Sequence, residues 1–353
     1  MNILFLISSL RFGGAEKQAV IDANALCADN NVHLIVFNDG ELKEQVDKKV
    51  KLIILEKKGY ISTAKKIRQL IIENKIEIVN SSLFASMIIS VLACNKINVP
   101  VIWHFHSHEY DMPYKSKLAF KYFAKKSCLK KILFVSEELL KHFENINLGF
   151  SEERTSVLYN NITVPVSKNE KKNSNYVRIG YIGRIIKLKR VEYLIELAVF
   201  LRNNGINNFK IDIVGEGESL ASLKKLAEDK AIKENVEFHG FRRDVEKYYD
   251  LFDIFALPSS EECLSISLMD ACAKSLPCVA FNAGGNNEII INKENGFIVE
   301  DKNEFFSKIL VLIQNADLRK EMGSKSFEIS AKKFNKEIRM EKLMKIFTES
   351  TVI

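Results

Sequence analysis

Two acids, Glu262 and Asp270, stand eight positions apart in SSEECLSISLMDACAKSLP (Ser259 to Pro277), with nothing charged between them. Apolar spacing of helical period resumes near Ile266 after the strand-like run IFALP, so a helix is expected to begin around Ser265. Glu262 then lies in the loop before the helix and Asp270 more than a turn inside it. The free N–H groups and the positive end of such a helix suit a phosphate. Helical side chains lean toward the N-terminus, so Asp270 could reach back toward the same ligand. The pair would then bracket a phosphate instead of facing each other as acid and base, which speaks against a glycoside hydrolase. The plainer readings are a surface loop acid at Glu262 and a buried acid bonded to neighbouring backbone at Asp270.

Three further stretches hold residues of suitable chemistry. In YIGRIIKLKRVEYL, Gly183 ends a strand, and Arg184 and Lys189 lie five apart across the turn into a helix. Two cations there could hold a diphosphate, the arginine through its fork of donors and the lysine as a point charge; a solvated basic turn uses the same residues. Gly215, in IVGEGESL, and Gly13 with Gly14, in SLRFGGAEKQAV, follow strands and lack side chains, so a ligand could approach the backbone; tight turns need the same glycines. WHFHSHEYD carries His104, His106 and His108, which share one face if the strand continues and so raise a metal site. A loop at the strand end would break that alternation, and no Cys or carboxylate has ligand spacing. One polar histidine beside a ligand is the preferred reading, with no metal.

The elements that must position these residues are legible as alternation. Strand-like NILFLIS, VHLIVF, LIILE, IEIVNS and VPVIWHF alternate with helix-like stretches, which predicts an α/β fold with a parallel sheet wound by helices. The polar, lysine-rich VPVSKNEKKNSNY (Val164 to Tyr176) interrupts the pattern, and the alternation restarts at VRIGYIG. Two Rossmann-like domains follow, 1–165 and 166–335, facing each other across a cleft at the carboxyl ends of both sheets. The amphipathic KEIRMEKLMKIFTES, within 336–353, should be a helix crossing back to the first domain. A chain of 353 residues supports two cores, and 47% hydrophobic with 27% charged residues is ordinary for a globular protein. Fifty-two basic against 45 acidic residues leave +7, too diffuse to argue for nucleic acid. Six cysteines form no CxxC and sit in apolar runs, which reads as buried free thiols in a reducing, cytoplasmic compartment. MNILFLISSL lacks a basic leader and reads as a buried first strand, and no run approaches the ~20 apolar residues that span a bilayer.

Taken in order, FGGAE, the strand-end histidine, VLYNN, GRIIKLKR, IVGEGE, VEFHGF, LPSSEECLSISLMDACAKSLPCVAF, AGGNNEII and ENGFIV closely resemble the retaining glycosyltransferases of family four, the group-1 type with the GT-B fold. The resemblance implies transfer of a hexose from a nucleotide-sugar donor, UDP-linked, with its anomeric configuration kept. It assigns Arg184 and Lys189 to the departing diphosphate, Glu262 to the donor sugar, and the backbone of Ser265, Ile266 and Ser267 to the distal phosphate. Asp270 would bind the ribose, and Phe241 and Arg242 would meet the base through backbone atoms. From the first domain it brings His106 near the reacting sugar, with His104 as fallback, and the Gly13/Gly14 loop near diphosphate and acceptor. No two aspartates stand two apart, so no DxD metal motif is present and a metal-independent reaction without cofactor is expected. The chain departs from the family pattern at Asp270, where a glutamate is usual, at Cys263 and Leu264, and at Arg190, where a glycine is usual.

The first domain should hold a glycan or lipid-linked acceptor. YKSKLAFKYFAKKSCLKK (Tyr114 to Lys131) has seven lysines and no acid, with Lys117, Lys121 and Lys125 at helical spacing opposite Leu118, Phe123 and Leu129. Such a helix could rest on anionic lipid at the inner face of the membrane, or be a solvated face. Rival readings on the same architecture are a UDP-sugar 2-epimerase and a non-catalytic partner subunit.

Overall fold

Runs buried on both faces make the strands of this protein. NILFLISS, for example, is covered along its whole middle, as parallel strands sandwiched between helices must be. The computed structural model describes residues 1–107, 113–163, 165–167 and 175–352. It divides into two units, Met1–Asn160 with Lys336–Ile353, and Asn161–Asn335.

The first unit is a seven-stranded sheet of β1 (Asn2–Ser9), β2 (Asn31–Asn38), β3 (Lys51–Ile54), β4 (Ile78–Ser82), β5 (Val101–Phe105), β6 (Leu129–Phe134) and β7 (Thr155–Val157). Its order is β3-β2-β1-β4-β5-β6-β7 and every pair is parallel. The order therefore reverses between β1 and β4, and the loops at the carboxyl ends of the strands there are the ones open to a ligand. Trp103 donates its Nε1–H to Met87 O at 2.9 Å, which fixes one face against the helix Phe84–Cys94. Phe5 meets Phe347 of the C-terminal helix Lys336–Thr351 on the other, with ring centroids 6.3 Å apart. Ile3, Phe5 and Ile7 share that core with Leu343 and Phe347, and each such side chain, once buried, contributes about 1.5–3 kcal/mol.

The C-terminal helix is also held by charge. Arg339 donates Nε and a terminal nitrogen to the two oxygens of Asp22, at 2.9 and 2.7 Å, and donates to Leu158 O at 3.2 Å and to Tyr159 O. Gln18 donates to the same Asp22 at 2.7 Å.

The second unit is a six-stranded parallel sheet of β8 (Val177–Ile182), β9 (Phe209–Val214), β10 (Val236–Gly240), β11 (Ile254–Leu257), β12 (Cys278–Phe281) and β13 (Gly296–Val299), in the order β10-β9-β8-β11-β12-β13. Here the reversal falls between β8 and β11. The chain enters this unit at Asn161, five residues before the expected boundary at 165/166, because Ile162 N–H donates to Phe334 O at 2.9 Å and Thr163 is bound to Asp270. Most of the expected linker lies outside the described residues, at 164 and 168–174.

The lysine-rich segment folds differently from its expected faces. Its helix is Tyr114–Ala124, Leu129 already begins β6, and the buried side is Phe120 with Ala124. Leu118 turns outward at 48% exposure, in line with Tyr114 at 75% and Tyr122 at 59%. Lys126 sits 4.1 Å above the Tyr122 ring. No helix among the described residues is long and apolar enough to cross a membrane.

Candidate functional site

The reversal point of the second sheet brings the two principal sequence candidates into contact. After β8 the chain turns through Gly183 and Arg184 into a short 3₁₀ turn, Lys187–Lys189, and after β11 it runs through Ser259–Ser265 into the helix Ile266–Ala273. Ser260 ties the loops together, its backbone N–H and its hydroxyl both donating to Leu188 O at 2.9 Å. Lys189 Nζ then donates to Glu262 Oε1 at 2.7 Å and reaches Glu261 O at 3.4 Å. Both side chains are largely covered, at 16% and 12% exposure, so the pair is a shielded one. Arg184 remains exposed. Its carbonyl accepts from the hydroxyl of buried Tyr181 at 2.8 Å, and burial, with the charge of Glu262, pushes that phenol well above its usual range.

Ser265 caps the helix as expected, its hydroxyl accepting from Leu268 N–H at 3.3 Å and lying 3.2 Å from Ser267 Oγ. No acid stands in the first turn, so the helix keeps its positive end. Asp270 lies further along the same helix and is bonded to Thr163. Its carboxylate, 2% exposed, accepts from Thr163 N–H at 2.8 Å through one oxygen and from Thr163 Oγ1 through the other. A side chain one methylene shorter than glutamate is thus claimed by a residue 107 positions away.

The glycines admit close neighbours within their own units. Gly215 has φ +141, and a Cβ there would overlap the carbonyl oxygen of Gly183. The backbone it admits is that of the neighbouring loop: Ile185 N–H donates to Glu216 O at 2.8 Å, and Ser219 N–H to Ile185 O at 3.0 Å. Gly215→Ala should therefore lower the stability of the second unit by about 3 kcal/mol. Chemical denaturation followed by tyrosine fluorescence tests this; an unchanged midpoint would refute it. Arg190, standing where a glycine is usual, holds φ 47 and lays its guanidinium 5.8 and 5.7 Å from the Tyr193 and Phe281 ring centres. Phe241 is 43% exposed, with Arg242 beside it, in the loop after β10.

In the first unit Gly13 and Gly14 open the helix Gly14–Leu26. A Cβ on Gly13 would overlap the Oε2 atom of Glu16, so this glycine makes room for a carboxylate of the same helix. β5 ends at Phe105, before His106, so the three histidines do not share a strand; His108 lies outside the described residues. The rings of His104 and His106 are 4.2 Å apart, and His104 Nε2 and His106 Nδ1 are buried without a partner. Burial first, and the Arg339 charge second, hold His106 at about 3, and burial holds His104 well below its usual value, so both are neutral.

Sequence reasoning missed Thr163, Glu16 and two buried acceptors without partners near the loops after β11 and β12, Ser259 Oγ and Asn286 Oδ1. For Glu16 the signal was present, an acid at the third position of a helix capped by glycine. Cys263 is partly exposed, whereas the other five cysteines are buried as expected. Asp212, Glu237 and His239 come together on β9 and β10, but Arg178 donates to both Asp212 oxygens at 2.8 Å and already balances that charge.

Two parallel sheets, each with one reversal point, and a lysine–glutamate pair in the loops at the second reversal are the architecture of an α/β protein of the GT-B fold. Residues 165–328 match the family model for glycosyl transferases group 1, and residues 12–164 that for glycosyltransferase family 4. The chain belongs to the group 1 glycosyltransferases. It is 28% identical over 333 residues to an uncharacterized glycosyltransferase of Haemophilus influenzae, covering 91% of this chain and 93% of the other. It is 25% identical over 317 residues, 81% and 80% of the two chains, to the UDP-Gal:alpha-D-GlcNAc-diphosphoundecaprenol alpha-1,3-galactosyltransferase of Escherichia coli. Anabaena HepE, solved with UDP, superposes with a TM-score of 0.88 at 18% identity, over 99% of this chain and 100% of that one.

Proposed function

We propose that this glycosyltransferase moves a hexose from a UDP-sugar to a glycan or lipid-linked acceptor in surface polysaccharide or glycolipid synthesis, keeping the anomeric configuration and using no metal. The observation that carries the reading is the shielded Lys189–Glu262 pair beside the acid-free start of helix Ile266–Ala273. Negative charge grows on the diphosphate as the sugar leaves, and cations placed in advance stabilise that charge most. Lys189 and Arg184 supply them, and the N–H groups of Ser265–Ser267 take the distal phosphate. Glu262 exchanges part of its bond to Lys189 for the donor's hydroxyls. His106, neutral through burial, offers a hydrogen bond to the transferred sugar without adding charge. The UDP-Gal and lipid diphosphate in the name of the Escherichia coli relative, and UDP in HepE, support the choice of nucleotide and acceptor class.

Calorimetric titration with UDP, then nucleotide release from UDP-glucose, UDP-galactose and their N-acetylated counterparts, tests the proposal. Release should require an undecaprenyl-diphosphate-linked sugar and survive a chelator. Epimerised donor without acceptor would replace this reading by a 2-epimerase, and UDP binding without turnover on any donor by a non-catalytic subunit.

The helix Tyr114–Ala124 supports a peripheral contact with the inner face of the membrane, since an outward row of Tyr114, Leu118 and Tyr122 lies among lysines. Tyrosine suits the interface, and each lysine near an anionic surface adds about 1 kcal/mol. Replacing Lys117, Lys121 and Lys125 with alanine should weaken binding to phosphatidylglycerol vesicles about 100-fold at low salt. Sedimentation equal to the parent would argue for a solvated face.

A further inference from the structure

The short helix Glu246–Leu251, which follows the loop after β10, is bonded to the helix Ile266–Ala273 near both of its ends. At the start, the Tyr249 hydroxyl donates to Ser267 O at 3.2 Å. Ser267 stands in the first turn, so its carbonyl also faces an intrahelical N–H, and the phenol takes the second lone pair. At the end, Lys274 Nζ donates to Glu246 Oε1 at 2.9 Å and lies 3.2 Å from Asp250 Oδ1. Glu246 and Asp250 are one helical turn apart, so a single ammonium can meet both.

Both ties are fixed by what surrounds them. Tyr249 is 1% exposed, its ring centre 6.2 Å from that of Phe252 and 5.9 Å from that of Phe255. Phe252 in turn occupies the space over Gly180 of β8, where a Cβ would overlap its ring. Burial first, and the charge of Asp270 second, push the Tyr249 phenol well above its usual range, so it stays protonated and donates. The Lys274 side chain is 4% exposed, whereas both carboxylates that meet it are 49% exposed. A covered ammonium is costly unless carboxylates meet it, so the helix that carries them decides where it sits.

The same short helix closes the loop before it. The rings of His239 and Tyr248, on either side of Phe241–Asp244, are 4.8 Å apart, and His239 Nε2 lies 2.8 Å from Asp212 Oδ1 of β9. In the sheet, β10 is separated from β11 by β9 and β8, a distance of about 14 Å. The helix Glu246–Leu251 is thus the element that spans from the loop after β10 to the helix start after β11.

We infer that the helix Glu246–Leu251 is a positioning element for the nucleotide: through Tyr249 and Lys274 it holds the start of helix Ile266–Ala273 at a set reach from the loop after β10. The inference rests on the donor reading above, in which the N–H groups of Ser265–Ser267 take the distal phosphate. A ligand held at two separated points gains from the second only when their separation is fixed in advance, and a loose second point returns that gain as ordering entropy. Tyr249 and Lys274 act through the helix and touch no substrate.

The test uses the full chain and the affinities of UMP and UDP, whose ratio isolates what the distal phosphate adds. Tyr249→Phe removes one hydroxyl and keeps the ring in its pocket. Lys274→Met removes the ammonium and leaves only exposed carboxylates behind. Each should weaken UDP about fivefold and keep UMP within about twofold of the parent, with kcat/KM for sugar transfer falling in step with UDP. Should Lys274→Met fail to fold, Tyr249→Phe alone decides. A merely structural role would lower the denaturant midpoint and weaken both nucleotides alike, so an equal loss for UMP and UDP, or an unchanged UDP affinity, would overturn the inference. A parent chain that binds UDP no more tightly than UMP would overturn the distal-phosphate reading itself, a result seen before any substitution is made.

Discussion

Lys189→Ala should lower the rate of sugar transfer by about 10²–10³-fold, with UDP affinity falling about tenfold. Two consequences of the 2.7 Å pair with Glu262 combine in this change. In the proposed donor site, the cation that would meet the departing diphosphate is removed, and a carboxylate only 12% exposed is left without its partner. The partner variant separates the two. Glu262→Gln frees Lys189 from its ion pair, so UDP should bind as tightly as before or more tightly, while turnover still drops because the donor sugar loses its acceptor group. A double-mutant cycle on UDP affinity should show coupling well above the few tenths of a kcal/mol expected of independent sites. Transfer within about threefold of the parent in Lys189→Ala would remove this lysine from the chemistry.

Arg339→Ala should destabilise the first unit by about 3–5 kcal/mol. Both members of the Arg339–Asp22 pair are 2% exposed, and alanine would leave the buried Asp22 with Gln18 as its remaining described partner. The carbonyls of Leu158 and Tyr159 would lose a donor at the same time. Denaturant midpoints measure the loss; Arg339→Met with Asp22→Leu, which removes both charges, should recover much of it. Arg339→Ala as stable as the parent would mean that water replaces the guanidinium. The pair also touches pH dependence. His106 lies at about 3, below its ordinary 6.5, so between these values the unfolded chain binds more protons than the folded one. Stability from the neutral ring is complete above about pH 6.5 and is lost as pH falls toward 3. Without the Arg339 charge the folded value rises and that window narrows, which NMR titration of the ring can follow.

The strands, the helix start at Ser265 and the cations after β8 were legible because each depends on neighbours a few residues away. Period-two and period-3.6 patterns reveal which runs are buried, parallel pairing follows from the alternation, and the carboxyl-end loops then have to carry the site. Thus Gly183, Arg184, Lys189 and Glu262 could be chosen before any coordinates, and the fold joined the last two. Leu118 was misplaced for a local reason: a short helix with apolar residues on several sides does not announce which side the core takes.

What the sequence by itself determined is therefore the two sheets, their order of loops and the charge carried by each loop. The tertiary structure alone decided which groups are already engaged. Thr163 holds Asp270 across 107 positions and Arg339 holds Asp22 across 317. Gly215 makes room for Gly183, and Glu16 fills the place over Gly13. Local periodicity reports burial, but a polar group in low dielectric must be matched by whichever partner the folded chain brings within hydrogen-bonding distance, and no spacing rule carries that information.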